Sequence, residues 1–319
     1  MPKARRPALG QEFRMAANVM DNVLQEGSRD IVILVMGPTG AGKSTFINAV
    51  LGGQTARMPV GHKLTSCTTL LDCAVVEPLD IRLPSGLENC RVIMVDTPGF
   101  DDTYESDISI LRRIADWLEQ SHRQRTVLGG VIYLHDISYD RFSATASKNL
   151  EMFKHLCGEA ALSKVILGTT KWTRFTGPRG AAREKELETE HWKSLTQKGS
   201  RVRRFEDTHE SALGFINDIL LRVAFSCALA IQKELVDEKK ILPETRAGRL
   251  AVIYAAQRMV DVEKELPRLR AELAVTKDAK KKEELEAMKR TILQLRGDVN
   301  QMKVPIRRRI LRFMGIELT

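Results

Sequence analysis

The sequence predicts an α/β fold, a parallel sheet flanked by helices and followed by a helical extension. Three observations carry that expectation. Strand and helix signals alternate from about residue 31 to 225. The first apolar run, Ile31 to Met36, leads straight into Gly37-Pro38-Thr39-Gly40-Ala41-Gly42-Lys43-Ser44-Thr45, which spells G-x-x-x-x-G-K-[ST]. The last third of the chain then changes to heptad spacing.

Taken in order, Ile31–Met36 reads as a buried strand, and Lys43–Leu51 as the first helix, ended by Gly52-Gly53. Residues 54–68 are polar and loop-like. Leu70–Val76 and Arg91–Val95 read as the next strands, with Pro84-Ser85-Gly86 marking the turn between them. Asp107–Glu119 places Ile108, Leu111, Ile114, Ala115 and Leu118 on one helical face. Val131–Leu134 is a fourth strand, Ala144–Leu156 a helix and Lys164–Leu167 a fifth strand. A charged, solvent-exposed helix is expected over 181–195, and a weak strand near Val202–Phe205. One helix is then expected from about His209 to Leu242, stopped by Pro243.

Beyond it, Val252, Ala255, Met259, Val262, Leu266, Leu269 and Leu273 recur at spacings of three and four. So do Leu285, Met288, Ile292, Leu295, Val299, Met302 and Ile306. The phase breaks between 274 and 284, which leaves two alternatives, a stuttered long helix or a helical hairpin. Pro267 suits the first turn of a new helix. These divisions give an N-terminal basic segment (1–29), a nucleotide-binding domain (30–242) and a helical extension with a basic tail (243–319).

The glycine-rich turn carries the chemistry. Glycines let the backbone curl with its N–H groups inward, forming an anion nest capped by a helix N-terminus. Lys43 would reach the β- and γ-phosphates and Ser44 would join a Mg²⁺ shell. The expectation is a nucleoside triphosphate site made of Gly37, Pro38, Thr39, Gly40, Ala41, Gly42, Lys43, Ser44 and Thr45.

About sixty residues on, the third strand ends in Val95-Asp96-Thr97-Pro98-Gly99, a D-x-x-G element. Asp96 would hold Mg²⁺ through a water, and the Gly99 N–H would approach the γ-phosphate. Between the two elements, Thr65, Thr68 and Thr69 each qualify to close over the metal. Thr68 is favoured, with Thr69 second, because they immediately precede a strand. His62 reads as a surface loop histidine. After the fifth strand, Thr170 and Lys171 fit the base-binding pattern [NT]-K-x-D, but Thr173 stands where its aspartate belongs. Trp172 reads as a half-buried packing residue. Phe100 follows the D-x-x-G element where many GTPases carry a water-orienting glutamine, so the expectation is slow intrinsic hydrolysis, or hydrolysis completed by a second subunit or partner.

Composition narrows the classes. The chain of 319 residues carries a net charge of +9; from Thr276 onward twelve Lys/Arg face six Asp/Glu. Aromatic residues are 5% and do not interleave with that basic stretch, which argues against a nucleic-acid platform. The five cysteines are scattered and read as reduced thiols of a cytoplasmic protein. No stretch reaches the length of a membrane span, and the start lacks the apolar core of a signal peptide. Near the end, Ile306, Ile310, Phe313 and Met314 share a helical face beside four arginines. Two readings stand for it, contact with an anionic membrane surface or docking on the protein itself.

Together these elements resemble the septin/Toc/AIG1-like branch of P-loop GTPases, closest to fungal stand-alone G-domain proteins. The resemblance rests on GPTGAGKST (37–45), SCT (66–68), VDTPGFDDT (95–103), GVIYLHDIS (130–138), TTKW (169–172) and ETRAG (244–248). It covers about residues 30–250. It implies a Ras-like P-loop NTPase three-layer sandwich, whose six-stranded sheet is mostly parallel with one antiparallel edge strand. It also implies Mg²⁺-dependent binding of GTP or GDP and pairing of two copies across the nucleotide face. Some relatives supply an arginine across that face from the loop after the fourth strand. Here that loop reads His135-Asp136-Ile137-Ser138, placing His135 at the mouth of the site, and Arg141 is the candidate arginine. The C-terminal helices offer a second dimer route. Two functions follow: a GTPase whose cycle changes conformation or dimer state, and a nucleotide-bound scaffold with negligible turnover.

Overall fold

The computed structural model describes residues 30–53, 71–76, 90–100, 105–124, 126–174, 178–222, 228–276, 278–305 and 308. Six strands form one sheet in the order β2-β3-β1-β4-β5-β6. They are β1 (Ile31–Met36), β2 (Asp72–Val76), β3 (Val92–Asp96), β4 (Val127–Asp136), β5 (Val165–Thr170) and β6 (Arg201–Arg204). β2 runs antiparallel to β3 at one edge, and every other pair is parallel. The expected sheet is the observed one.

β1 lies in the middle because both its faces are apolar. Ile31, Ile33 and Val35 pack under α1 (Lys43–Leu51) and α6 (His209–Leu220). Val32, Leu34 and Met36 face the opposite layer, built from α2 (Asp107–Arg123) and α3 (Ala144–Cys157). Each such side chain, taken fully out of water, contributes about 1.5–3 kcal/mol. β4 is longer than its apolar run suggests, because Gly129 and Gly130 belong to it. Val32 pairs with Leu128 and Ile33 with Gly130, so Gly129 is the extra residue of a bulge. Serine caps begin α2 and α3: Ser106 accepts from the Ser109 N–H at 3.2 Å and Ser143 from the Ala146 N–H at 3.0 Å. Such a cap contributes about 1 kcal/mol.

Three expected helices differ in detail. The one over 181–195 is α4 (Arg179–Glu186), a π-helical turn (Leu187–His191) and α5 (Lys193–Thr196). The wide turn, closed by the Trp192 N–H on the Leu187 carbonyl at 2.6 Å, delivers Trp192 fully buried into the core. The helix expected from His209 to Leu242 ends at Leu220. A separate short helix α7 (Ala230–Gln232) runs into a second π turn, Lys233–Asp237. Its start is fixed by the Leu229 N–H on the Gln232 side chain at 2.9 Å, an interaction apolar periodicity does not reveal. Pro267 opens no helix; it lies inside α8 (Arg246–Thr276).

α8 and α9 (Ala279–Gln301) form an antiparallel hairpin, the second of the two alternatives. Lys281 pairs with Glu272 and Arg296 with Glu263, both at 2.8 Å. The heptad positions turn inward: Leu269, Leu285, Ile292, Leu295 and Met302 are buried. The hairpin lies on α2 and α3, with Arg112 donating to Gln301 at 2.9 Å and the Tyr254 hydroxyl to Glu151 at 3.1 Å. Buried polar groups make the joint. Glu234 accepts from the Arg246 N–H at 3.1 Å and from Lys240 at 3.1 Å, and Glu244 accepts from Arg308 at 3.2 Å. The N-terminal segment and, Arg308 apart, the stretch from 306 onward lie outside the described residues.

Candidate nucleotide site

The glycine-rich turn connects β1 to α1 at the C-terminal end of the parallel strands, where open α/β sheets bind ligands. Gly37 has a φ of 141° and sits so close to β4 that a Cβ there would lie 2.3 Å from the Leu134 carbonyl oxygen. Only glycine meets both demands. At the far end of the turn, Gly42 precedes the helix with no side-chain cap, which leaves the first amides of α1 available to an anion. Lys43 is buried, and its ammonium donates to the Gly37 and Pro38 carbonyls at 3.0 Å each.

β3 brings the D-x-x-G element to this turn. Thr97 ties its exit to β1 through a 2.9 Å bond to the Val35 carbonyl. The Ser44 hydroxyl donates to Asp96 Oδ2 at 2.5 Å. Gly99 presses on the loop: a Cβ at this position would lie 2.3 Å from the Thr39 nitrogen. The two phosphate-end elements, fifty-two residues apart at Ser44 and Asp96, are therefore in direct contact. Phe100, next in the chain, is buried in the core beneath α2 and α3.

At the other end, β5 delivers Thr169 to Arg174. Thr170 is buried and its hydroxyl donates to the Ala41 carbonyl at 2.9 Å, joining β5 to the loop. Lys171 holds a left-handed backbone (φ 62°) and its ammonium donates to Asp136 Oδ2 at 2.6 Å. Asp136 is buried, and its second oxygen accepts from the Ser138 N–H at 2.8 Å. Burial pushes its carboxyl up, but the bonds from Lys171 and Ser138 outweigh that and hold it below the ordinary value. Trp172 is half-buried as expected: its indole N–H donates to Thr169 and the Arg204 guanidinium lies 4.3 Å above its ring. Thr173 is exposed.

His135 does not line the mouth of the site. It belongs to β4, 7% exposed, among Phe142 (5.5 Å between ring centres) and Trp192 (6.1 Å). Burial, aided by His191 and opposed by Asp136, pushes its pKa down to about 4. Arg141 is exposed in the turn between β4 and α3. His62, Thr65, Thr68 and Thr69 lie outside the described residues. Sequence reasoning passed over Asp136, the anchor of Lys171. A lone acid closing the apolar run Val131–Leu134 was the available signal.

Residues 32–171 match the family model described as 50S ribosome-binding GTPase. That segment has the fold of a P-loop GTPase G domain. No curated protein sequence matches the chain. Among solved structures, it is similar to Toc33 from Arabidopsis thaliana in complex with GDP and Mg²⁺. The identity is 17% over 70% of this chain and 95% of that one, with a TM-score of 0.45. A chloroplast translocon structure, described as showing that dimerisation is important for the GTPase activity of atToc33 and psToc159, is 13% identical. It covers 72% of this chain and 99% of that one, with a TM-score of 0.48. Era from Aquifex aeolicus bound to GDP and AlF4⁻ is 17% identical over 60% of this chain and 56% of that one, at 0.41. Among the described residues, no helix is long and apolar enough to cross a membrane.

Proposed function

We propose that this G domain binds GTP with Mg²⁺ and hydrolyses it slowly, turnover rising when a second copy or another protein meets the nucleotide face. The observation that carries the reading is the contact of Ser44 with Asp96 at 2.5 Å beside the Gly99–Thr39 approach. A hydroxyl and a carboxylate make an all-oxygen donor pair, the kind Mg²⁺ accepts. Ser44 directly, Asp96 through a water, and Thr68 would hold the ion. When bound, Mg²⁺ neutralises charge across the β- and γ-phosphate oxygens.

The chain's own groups have separable roles. Lys43 would exchange its bonds to the Gly37 and Pro38 carbonyls for phosphate oxygens. The amides of residues 37–45 would cradle the phosphates, and the Gly99 N–H would meet the γ-phosphate. Thr170 and Lys171 would border the base. Arg141, exposed between β4 and α3, is the candidate to act across a dimer.

A second reading, a nucleotide-bound scaffold with negligible turnover, draws on Phe100. This side chain is 5% exposed and offers no group to orient water. Phosphate release from GTP across a protein concentration series separates the two, with Lys43→Ala as the control. Specific activity rising with concentration supports the dimer-activated GTPase. Tight binding with no release at any concentration supports the scaffold. The protein would work in the cytoplasm. Pairing through the C-terminal helices is the less supported route, because their apolar stripe packs within the chain. Contact of the basic tail with an anionic membrane is tested by vesicle sedimentation with and without residues 305–319.

A further inference from the structure

We propose that Glu186, Glu190 and His191 form a binding site for a divalent transition-metal ion of the zinc class, separate from the Mg²⁺ position proposed at Ser44 and Asp96. One ligand atom from each of the three lies within 4.8 Å of the other two. The π turn makes this set. In an α-helix each residue turns about 100°, so residue i+5 stands about 140° from residue i and faces away from it. The wider turn over Leu187–His191 brings the residues four and five beyond Glu186 back to its face. Trp192, fully buried directly after the turn, anchors the backbone in that shape.

The three side chains are otherwise uncommitted. Glu184, on the same helix, accepts from Thr169 at 3.1 Å and from Arg204 at 2.7 Å. Among the described residues, Glu186 and Glu190 have no hydrogen bond or ion pair, and the His191 ring nitrogens have no hydrogen bond. Two carboxylates four apart repel each other, and a cation between them reverses that. The His191 ring is stacked on Phe142, with centres 4.0 Å apart and planes 16° from parallel. Stacking fixes the ring by its face and leaves its edge, which carries the nitrogen lone pair, for an ion. An imidazole beside two carboxylates suits zinc better than Mg²⁺, which prefers oxygen and water. Zinc holds such ligands at about 2.0–2.2 Å, a closure that small rotations of two exposed glutamates supply. Three protein ligands leave a further position for water. The ion would also steady the turn that carries Arg141. That turn is gripped by α4 through Arg183, which donates to the Ile137 and Ser138 carbonyls at 3.2 Å each, and by His191 through Phe142.

The test is titration of the tag-free full chain with Zn²⁺ against a chromophoric chelator, in excess Mg²⁺ and without nucleotide. The wild type is compared with Glu186→Gln, Glu190→Gln, His191→Gln and the control Glu188→Gln, which changes an exposed acid on the same turn outside the set. The wild type is expected to take up a zinc ion that Mg²⁺ does not displace, and zinc to raise its thermal midpoint. Each of the three ligand variants is expected to bind that ion about a hundredfold more weakly or worse, and to lose the rise in midpoint. Glu188→Gln is expected to match the wild type. The two glutamate variants alter exposed side chains, so they test the site even if His191→Gln unfolds. Absence of zinc uptake by the wild type overturns the proposal. So does equal uptake by all the variants, which would place the ion elsewhere, on the thiols of Cys73, Cys90 or Cys157 for example. An equal loss in Glu188→Gln overturns it too, since surface charge alone would then hold the ion.

Discussion

The two ends of the candidate site, the glycine-rich loop proposed for phosphate and the end of β5 proposed for the base, are built on different principles. At the phosphate end the backbone does the work. Gly37 is pinned against Leu134 and Gly99 against Thr39, and each permits a main-chain approach of 2.3 Å to where a Cβ would be. At the base end side chains do the work, through Thr170 on Ala41, Lys171 on Asp136 and Arg204 over Trp172. A backbone-built site tolerates almost no substitution. A side-chain-built site can be rewired residue by residue while the strand ends stay where they are.

That difference can be broken at several points. The largest effect is expected in the pH dependence of stability. His135 titrates near 4 when folded and near 6.5 when unfolded, so the unfolded chain binds the extra proton between those values. Stability is full above pH 6.5 and is lost as pH falls toward 4, by up to about 3 kcal/mol. Urea unfolding of the wild type and His135→Gln from pH 7 to 4.5 checks it; equal slopes would remove His135 as the cause. A middle effect is expected from Gly99→Ala, whose new methyl meets loop backbone rather than a yielding side chain. It should cost about 1–3 kcal/mol in denaturant unfolding and weaken triphosphate binding together. If both measurements stay at wild-type values, the backbone account of the phosphate end is wrong. The smallest is Thr170→Val, which keeps the shape and removes the 2.9 Å bond to Ala41. About 1 kcal/mol of stability should go, with nucleotide affinity nearly unchanged. A large loss of affinity would mean that the two ends are not separable.

The same division decides what was legible in the sequence. Glycines at fixed spacing announce a backbone shape, so 37–45 and 96–99 could be read directly, as could the strands that deliver them. Apolar runs marked β1, β3 and β5 because those strands are buried on both faces. They understated β4, since a bulge at Gly129 carries no apolar side chain. The π turn before Trp192 and the start of α7 at Leu229 were hidden for a related reason, because single hydrogen bonds settle them rather than a periodic pattern. His135 was misplaced because a histidine at the end of an apolar strand looks the same in sequence whether it packs or projects. Asp136 went unnoticed because its partner Lys171 lies thirty-five residues away. The heptads were visible, but their partner was not; the stripe faces the neighbouring helix of the same chain.

The hairpin also sets a schedule for the chain's birth. Arg112 on α2 bonds Gln301, 189 residues downstream, and Leu295 and Met302 complete the apolar layer over α2 and α3. A ribosome adding about 5–20 residues per second exposes that layer for roughly ten seconds or more before its cover arrives. Through that interval the emerging G domain has an oily flank, and holdase chaperones are the natural occupants of it. Pulse-labelled chains stalled before residue 285 should be retained by such chaperones, and chains released beyond residue 305 should not.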